Sequence, residues 1–135
     1  MMVVDASATL AWLFGEHDPI DWLAERLTND RLVVPALWRL EVVNAILKNE
    51  RRKLISEEQG GRFLRNLDAI AVEVVEPLAS RTLEQLAIFA RPHQLTAYDA
   101  VYLELALDRS APLLSLDNNL RDAAQRTGVA IITAP

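Results

Sequence analysis

The chain has 135 residues, 51% of them hydrophobic and none of them cysteine. That length suits a single domain spanning residues 1–135, and the lack of cysteine excludes a disulfide framework, a thiol nucleophile and a thiolate zinc site. With 14 basic and 19 acidic residues the net charge is −5, the wrong sign for a protein that grips a polyanion by charge alone.

The opening stretch, MMVVDASATL, reads as a short buried strand over residues 3–5 that ends on a carboxylate, Asp5, and runs straight into a helix. Helix capping is one reason for an Asp there. A second helix is expected from DPIDWLAERL, with Asp18 as N-cap and Pro19 at the first helical position. After a strand over residues 32–34 comes PALWRLEVVNAILKNE, nearly apolar from Ala36 to Leu47, in which Glu41 and Asn44 stand one turn apart on one face. A solvated stripe is usually broader than that. The helix ends in a basic run, Lys48, Arg51, Arg52 and Lys53, which is either ordinary cation placement at a helix C-terminus or a phosphate-tracking edge for RNA. The next helix opens with capping-box spacing in SEEQ, Ser56 to Gln59. Gly60 and Gly61 inside it lack the following Lys of a phosphate loop.

A strand over residues 72–75 precedes TAYDAVYLELALDRS, again with capping-box spacing, at Thr96 to Asp99. On a helical wheel Asp99 falls roughly 140° to 180° from Glu104 and Asp108, which define the polar face, so Asp99 is expected to point inward. PLLSLD supplies a strand over residues 113–116 and a second strand-end acid, Asp117, for which capping is again an alternative. Gly128 stops the last helix before a strand over residues 129–133. Trp12, Trp22 and Trp38, at helical spacing among Leu and Ala, are expected in the core or an interface. His17 and His93 flank turns and are given no chemistry.

Apolar strands separated by helices imply a parallel sheet of about five strands inside a three-layer α/β/α sandwich. In such folds the crevice lies at the C-terminal ends of the strands, where strand order reverses. Asp5 and Asp117 share that crevice if their strands are neighbours. Ser7 and Ser115, each two residues from a strand-end acid, are placed either to steady a carboxylate or to serve the turn. Converging carboxylates raise one another's pKa, and a cation relieves them. An oxygen-only donor set favours Mg²⁺ or Mn²⁺, which lower the pKa of bound water and brace the leaving oxygen of a phosphodiester. No apolar run approaches the roughly 18 residues of a membrane span, and no leader pattern opens the chain. A soluble cytoplasmic protein with no membrane partner is expected.

Asp5, Ser7, Glu41, Asn44, Asp99, Ser115 and Asp117 occur in this order within VVDAS, PALWRLEVVNAI, LTAYDAVYLELAL and APLLSLDNNLRDAAQRTGVAI. With them the sequence resembles the PIN-domain family over essentially its whole length, and within it the VapC-like toxin ribonucleases of prokaryotic toxin–antitoxin pairs. The resemblance implies an endoribonuclease using Mg²⁺ or Mn²⁺, with Asp5, Glu41, Asp99 and Asp117 as catalytic acids and metal ligands and with Ser7, Asn44 and Ser115 in support. It also implies a homodimer, an RNA substrate and a cognate antitoxin that covers the groove. Family members commonly carry basic residues just after the last acid, where this chain has Asn118 and Asn119; that departure bears on RNA contact rather than on the metal site. Two other classes stand beside this reading. A receiver-like signalling domain wants paired acids after the first strand and a lysine after the last, whereas this chain has one acid in VVDAS and ends IITAP. The other is a non-catalytic, metal-binding interaction module that keeps the fold.

Overall fold

The computed structural model describes residues 1–15, 20–76 and 81–133. Strands β1 (Met2–Val4), β2 (Leu32–Pro35), β3 (Val72–Val75) and β4 (Leu113–Leu114) pair in parallel in the order β3-β2-β1-β4. β1, β2 and β4 are buried along their whole length, as runs of Val and Leu require when both faces of a sheet are covered. The strand expected over residues 113–116 stops at Leu114. Past that point the backbone turns to side-chain partners, Leu116 N–H donating to Ser7 Oγ (3.1 Å) and Asp117 N–H to Ser115 Oγ (3.0 Å). The fifth expected strand is present as a single parallel bridge, Leu113 with Ile131. β4 is only two residues long, so a partner on its outer edge has no longer ladder to join.

The helices are α1 (Ala6–Phe14), α2 (Ile20–Asn29), α3 (Leu37–Arg51), α4 (Glu57–Asp68), α5 (Leu83–Ala90), α6 (Ala97–Arg109) and α7 (Asn118–Arg126), with a 3-10 turn at Arg91–His93. Ser56 and Gln59 close a full capping box on α4. At α6 only one half of the box is made, Asp99 N–H donating to Thr96 Oγ1 (3.1 Å). The α2 start expected from Asp18 and Pro19, like His17, lies outside the described residues.

From β1 to β2 to β3 the chain steps one way across the sheet, and from β3 to β4 it leaps back over β2 and β1. Right-handed crossovers then put α1 to α4 on one face and α5 to α7 on the other. The packing agrees: α1 meets α2 and α3, and α3 meets α4, whereas α6 lies against β1 and β2 with α5 and α7 beside it. Strand order therefore reverses between β1 and β4. Their C-terminal ends, Asp5 and Ser115, form the switch point where ligands of open α/β sheets bind.

α6 is the central helix, with Ala100 to Leu103, Leu105 and Ala106 buried. Its polar face is narrower than the wheel suggests. Asp108 is exposed, but Arg81 pairs with Glu104 and leaves that side chain only 12% exposed. Trp38 is buried, and Trp12 and Trp22 pack half-buried against the core.

Candidate active site

Asp5 leaves β1 as the N-cap of α1, accepting from Ala8 N–H (3.0 Å). Its N–H still bonds Leu114 O (3.1 Å), so the residue belongs to the sheet and to the helix at once. Ser7 Oγ donates to Oδ1 (2.7 Å) and Ser115 Oγ to Oδ2 (2.5 Å). The two hydroxyls are bonded on as well, to Leu116 N–H and Asp117 N–H. The ends of β1 and β4 are thereby laced together through one buried carboxylate. Beneath it, Trp38 Nε1 donates to Thr9 Oγ1 (3.0 Å), and Thr9 Oγ1 donates to Asp5 O (2.9 Å). That buried chain ties α3 to the first turn of α1.

Glu41 reaches the same place from α3, where Tyr102 Oη donates to its Oε1 (2.6 Å). Tyr102 is fully buried on α6, one turn after Asp99, so a single rigid helix positions both groups. Asp117 caps α7, taking Leu120 N–H on Oδ1 (2.9 Å). Capping and convergence are thus not rivals at Asp5 and Asp117; one carboxylate does both.

Burial is the main force raising the Asp5 carboxyl above its ordinary range, with the hydroxyls of Ser115 and Ser7 and the Ala8 amide pulling back and the charge of Asp99 adding to the rise. Glu41 is raised by burial first, against the Tyr102 hydrogen bond, and further by Asp99 and Asp5. Asp99 is raised by burial and then by the charge of Asp117, with Thr96 opposing. Tyr102 is pushed far up by burial and by its acidic neighbours, so its hydroxyl stays a donor. A chain of like-charge repulsion joins all four acids. Among the described residues no three of them close around a common point as a ligand shell.

The donor set fits a hard divalent cation. Every candidate is a carboxylate or hydroxyl oxygen, the type that Mg²⁺ and Mn²⁺ take, and the acids already bear the electrostatic cost that a cation relieves. Asn44 is exposed on α3 and, among the described residues, makes no hydrogen bond to these acids. The basic run divides. Lys48 and Arg52 border a groove that also touches Ser7 and Asp117, whereas Arg51 and Lys53 line a separate hollow with Glu50 and Glu57. Sequence reasoning missed Tyr102, although a phenol three residues after an inward acid was a usable signal. The Trp38 and Thr9 contact carries no such signal, because 29 residues separate its partners.

A family model described as PIN domain matches residues 2–126. The chain belongs to the PIN-domain family. Ribonuclease VapC3 of Pyrobaculum aerophilum is 31% identical over 123 residues, 90% of this chain and 92% of its own length. The crystal structure of PAE2754 from Pyrobaculum aerophilum superposes with a TM-score of 0.71 at 25% identity, covering 96% of this chain and 82% of that one. VapBC2 from Rickettsia felis, solved bound to a DNA fragment from its promoter, shares the fold at a TM-score of 0.68 and 12% identity, over 97% of this chain and 96% of that one. Ribonucleases of this PIN-domain family generally depend on a divalent metal ion. The receiver-like reading falls with the family match. No described helix is long and apolar enough to cross a membrane.

Proposed function

We propose that the protein is a cytoplasmic, Mg²⁺- or Mn²⁺-dependent endoribonuclease, the toxin of a toxin–antitoxin pair, with residues 1–135 working as one PIN unit. The observation that carries this reading is the set of four mutually repelling acids at the β1/β4 switch point, in a chain 31% identical to a VapC ribonuclease over nine-tenths of its length. Asp5, Glu41 and Asp99 would hold the cation, and Asp117 would hold a second one or orient the attacking water. A bound divalent ion supplies charge neutralisation at the phosphate and a more acidic water. The chain supplies placement. Ser7 and Ser115 fix both Asp5 oxygens, Tyr102 fixes one Glu41 oxygen, and α6 carries Asp99 against them. Water adds at phosphorus and gives up a proton, one P–O bond breaks, and the leaving oxygen takes up a proton, so the products are a phosphate monoester and a hydroxyl. No side chain of the protein becomes bonded to the RNA.

Lys48 and Arg52 steer the RNA backbone toward the acids, which offsets locally the net charge of −5. A cognate antitoxin covers the site; the toxin–antitoxin complexes among the structural neighbours support this partner. The protein is a homodimer, a reading supported by Leu40, Val43 and Leu47, an exposed apolar stripe at helical spacing on α3. The deciding experiment is cleavage of mixed cellular RNA by protein freed of any partner, in Mg²⁺ or Mn²⁺, with EDTA and Asp99→Asn as controls. Discrete fragments that vanish in both controls are expected. Fragments that persist with Asp99→Asn would sink the assignment.

A further inference from the structure

Beside the acids runs a groove of about 490 Å³ between α1, the end of α3 and the loop after β4. Ser7 and Asp117 are among its lining residues, and Ser7 donates directly to Asp5, so the groove lies one hydrogen bond from the most buried acid. One wall is apolar, with Leu10, Phe14 and Leu116. Phe14 is held in place by an edge-to-face contact with Phe63 on α4, ring centroids 5.7 Å apart. The other wall carries Lys48 and Arg52, one turn apart, with Asn49 between them. Asn49 Nδ2 donates to Ala45 O (2.8 Å); the reversed amide would set two acceptors against each other, so Oδ1 is the atom left to bond a ligand.

We propose that this groove is a base-binding subsite for the nucleotide next to the scissile phosphate, with Phe14 and Asn49 as residues that set cleavage preference. The inference rests on the ribonuclease reading. Two cations beside an apolar wall suit a ligand that alternates phosphates with flat rings, which is single-stranded RNA. The neighbouring hollow at the end of α3 also pairs two cations with apolar side chains, but Glu50 and Glu57 in its lining cancel the charge of Arg51 and Lys53 and, among the described residues, no aromatic ring lines it. The Asn49 acceptor suits the exocyclic amino group of adenine, cytosine or guanine, whereas the donor of uracil is its ring N3–H, set back between two carbonyl oxygens.

The test uses full-length Asp99→Asn protein, freed of partner, and fluorescein-labelled RNA hexanucleotides of A, C and U, read by anisotropy. The A and C oligomers are expected to bind more tightly than U. Adding Asn49→Ala should remove that preference, and adding Phe14→Leu or the exposed-site change Arg52→Gln should weaken all three oligomers about 5- to 20-fold. The same groove changes in an otherwise wild-type background should leave the Mn²⁺-induced rise in melting temperature unchanged. Undiminished RNA binding by all three groove variants would overturn the proposal. So would a loss of affinity confined to a protein partner, which would make the groove a protein-recognition surface. If wild-type protein cleaves no RNA while groove-dependent binding persists, the ribonuclease reading fails and the cleavage role of the groove fails with it, leaving only RNA binding there. If it cleaves normally and the groove variants keep both affinity and cut-site preference, the subsite fails alone.

Discussion

Asp5 shows how much one side chain can be asked to do. It accepts three hydrogen bonds while capping α1, so Asp5→Ala removes a cap worth about 1 kcal/mol together with a ligand. Asp5→Asn keeps an acceptor for Ala8 N–H, and a serine hydroxyl can rotate to accept from the new amide. The expected outcome is a folded Asp5→Asn protein with cleavage down at least about 100-fold and a melting temperature unmoved by Mn²⁺, checked by RNA cleavage and thermal shift on one preparation. The raised acids also set a pH dependence. Groups whose folded pKa lies above the unfolded value hold protons that the unfolded chain has released, so metal-free stability falls as pH climbs from the ordinary 3.8 and 4.5 through the raised values, then levels off. Glu73 acts in the opposite sense: its Arg109 hydrogen bond and the charges of Arg109 and Arg31 hold its carboxyl down, so its contribution is present above 4.5 and lost in acid. In EDTA at neutral pH, Asp99→Asn is therefore expected to have a higher urea midpoint than wild type, and the advantage should vanish near pH 4. Saturating Mn²⁺ should reverse the order, adding about 2.7 kcal/mol to wild type at 100 times Kd.

At the scale of elements, α3 and α4 meet at Gly60, where an added Cβ would collide with the Glu50 carboxylate and come within 3.0 Å of Ile46 Cγ2, whereas at Gly61 the nearest atom is the mobile end of Arg65 at 3.2 Å. Glycine in a helix costs up to about 1 kcal/mol relative to alanine. Gly61→Ala should recover most of that. Gly60→Ala should instead lose about 1 kcal/mol, because Ile46 is buried and overpacking exceeds the propensity gain. Urea unfolding of the two variants side by side checks the pair. The elements themselves were largely legible in the chain. Val-rich runs marked three strands, and Ser56 with Gln59 marked the start of α4. The ends were less so. β4 stops early as Leu116 N–H turns to Ser7 Oγ, 109 positions away in the sequence, and no local pattern announces a long-range partner. Glu104 read as solvent-facing for the same reason, since Arg81 covers it from the segment leading into α5.

For the whole molecule, the order in which strands assemble brings scattered acids within electrostatic reach of one another. Asp5, Glu41, Asp99 and Asp117 were each visible as an acid in an apolar setting, but the nearness of Asp5 and Asp117 depends on the β3-to-β4 leap that makes β1 and β4 neighbours. With the chain at −5 overall and, among the described residues, Lys48 and Arg52 as the cations lining the groove, RNA affinity should depend weakly on salt. Two phosphate contacts give a slope of log K against log[salt] of about −1.4 for a single strand, and a slope several times steeper would mean that a broader basic surface is in use. Replacing Leu40 and Leu47 with glutamate should convert a dimer to a monomer in sedimentation velocity while leaving the Mn²⁺ response in place. The double duty of Asp5 and Asp117 also has a genetic consequence. If the four acids act as proposed, cells escaping such a toxin would disarm it at any of them, but at Asp5 and Asp117 the change also loosens a helix start, and at Asp5 the seam between two strands, so those alleles would yield less protein. Where survival also requires the disarmed chain to persist and keep binding its antitoxin, the escape alleles should gather at Glu41 and Asp99.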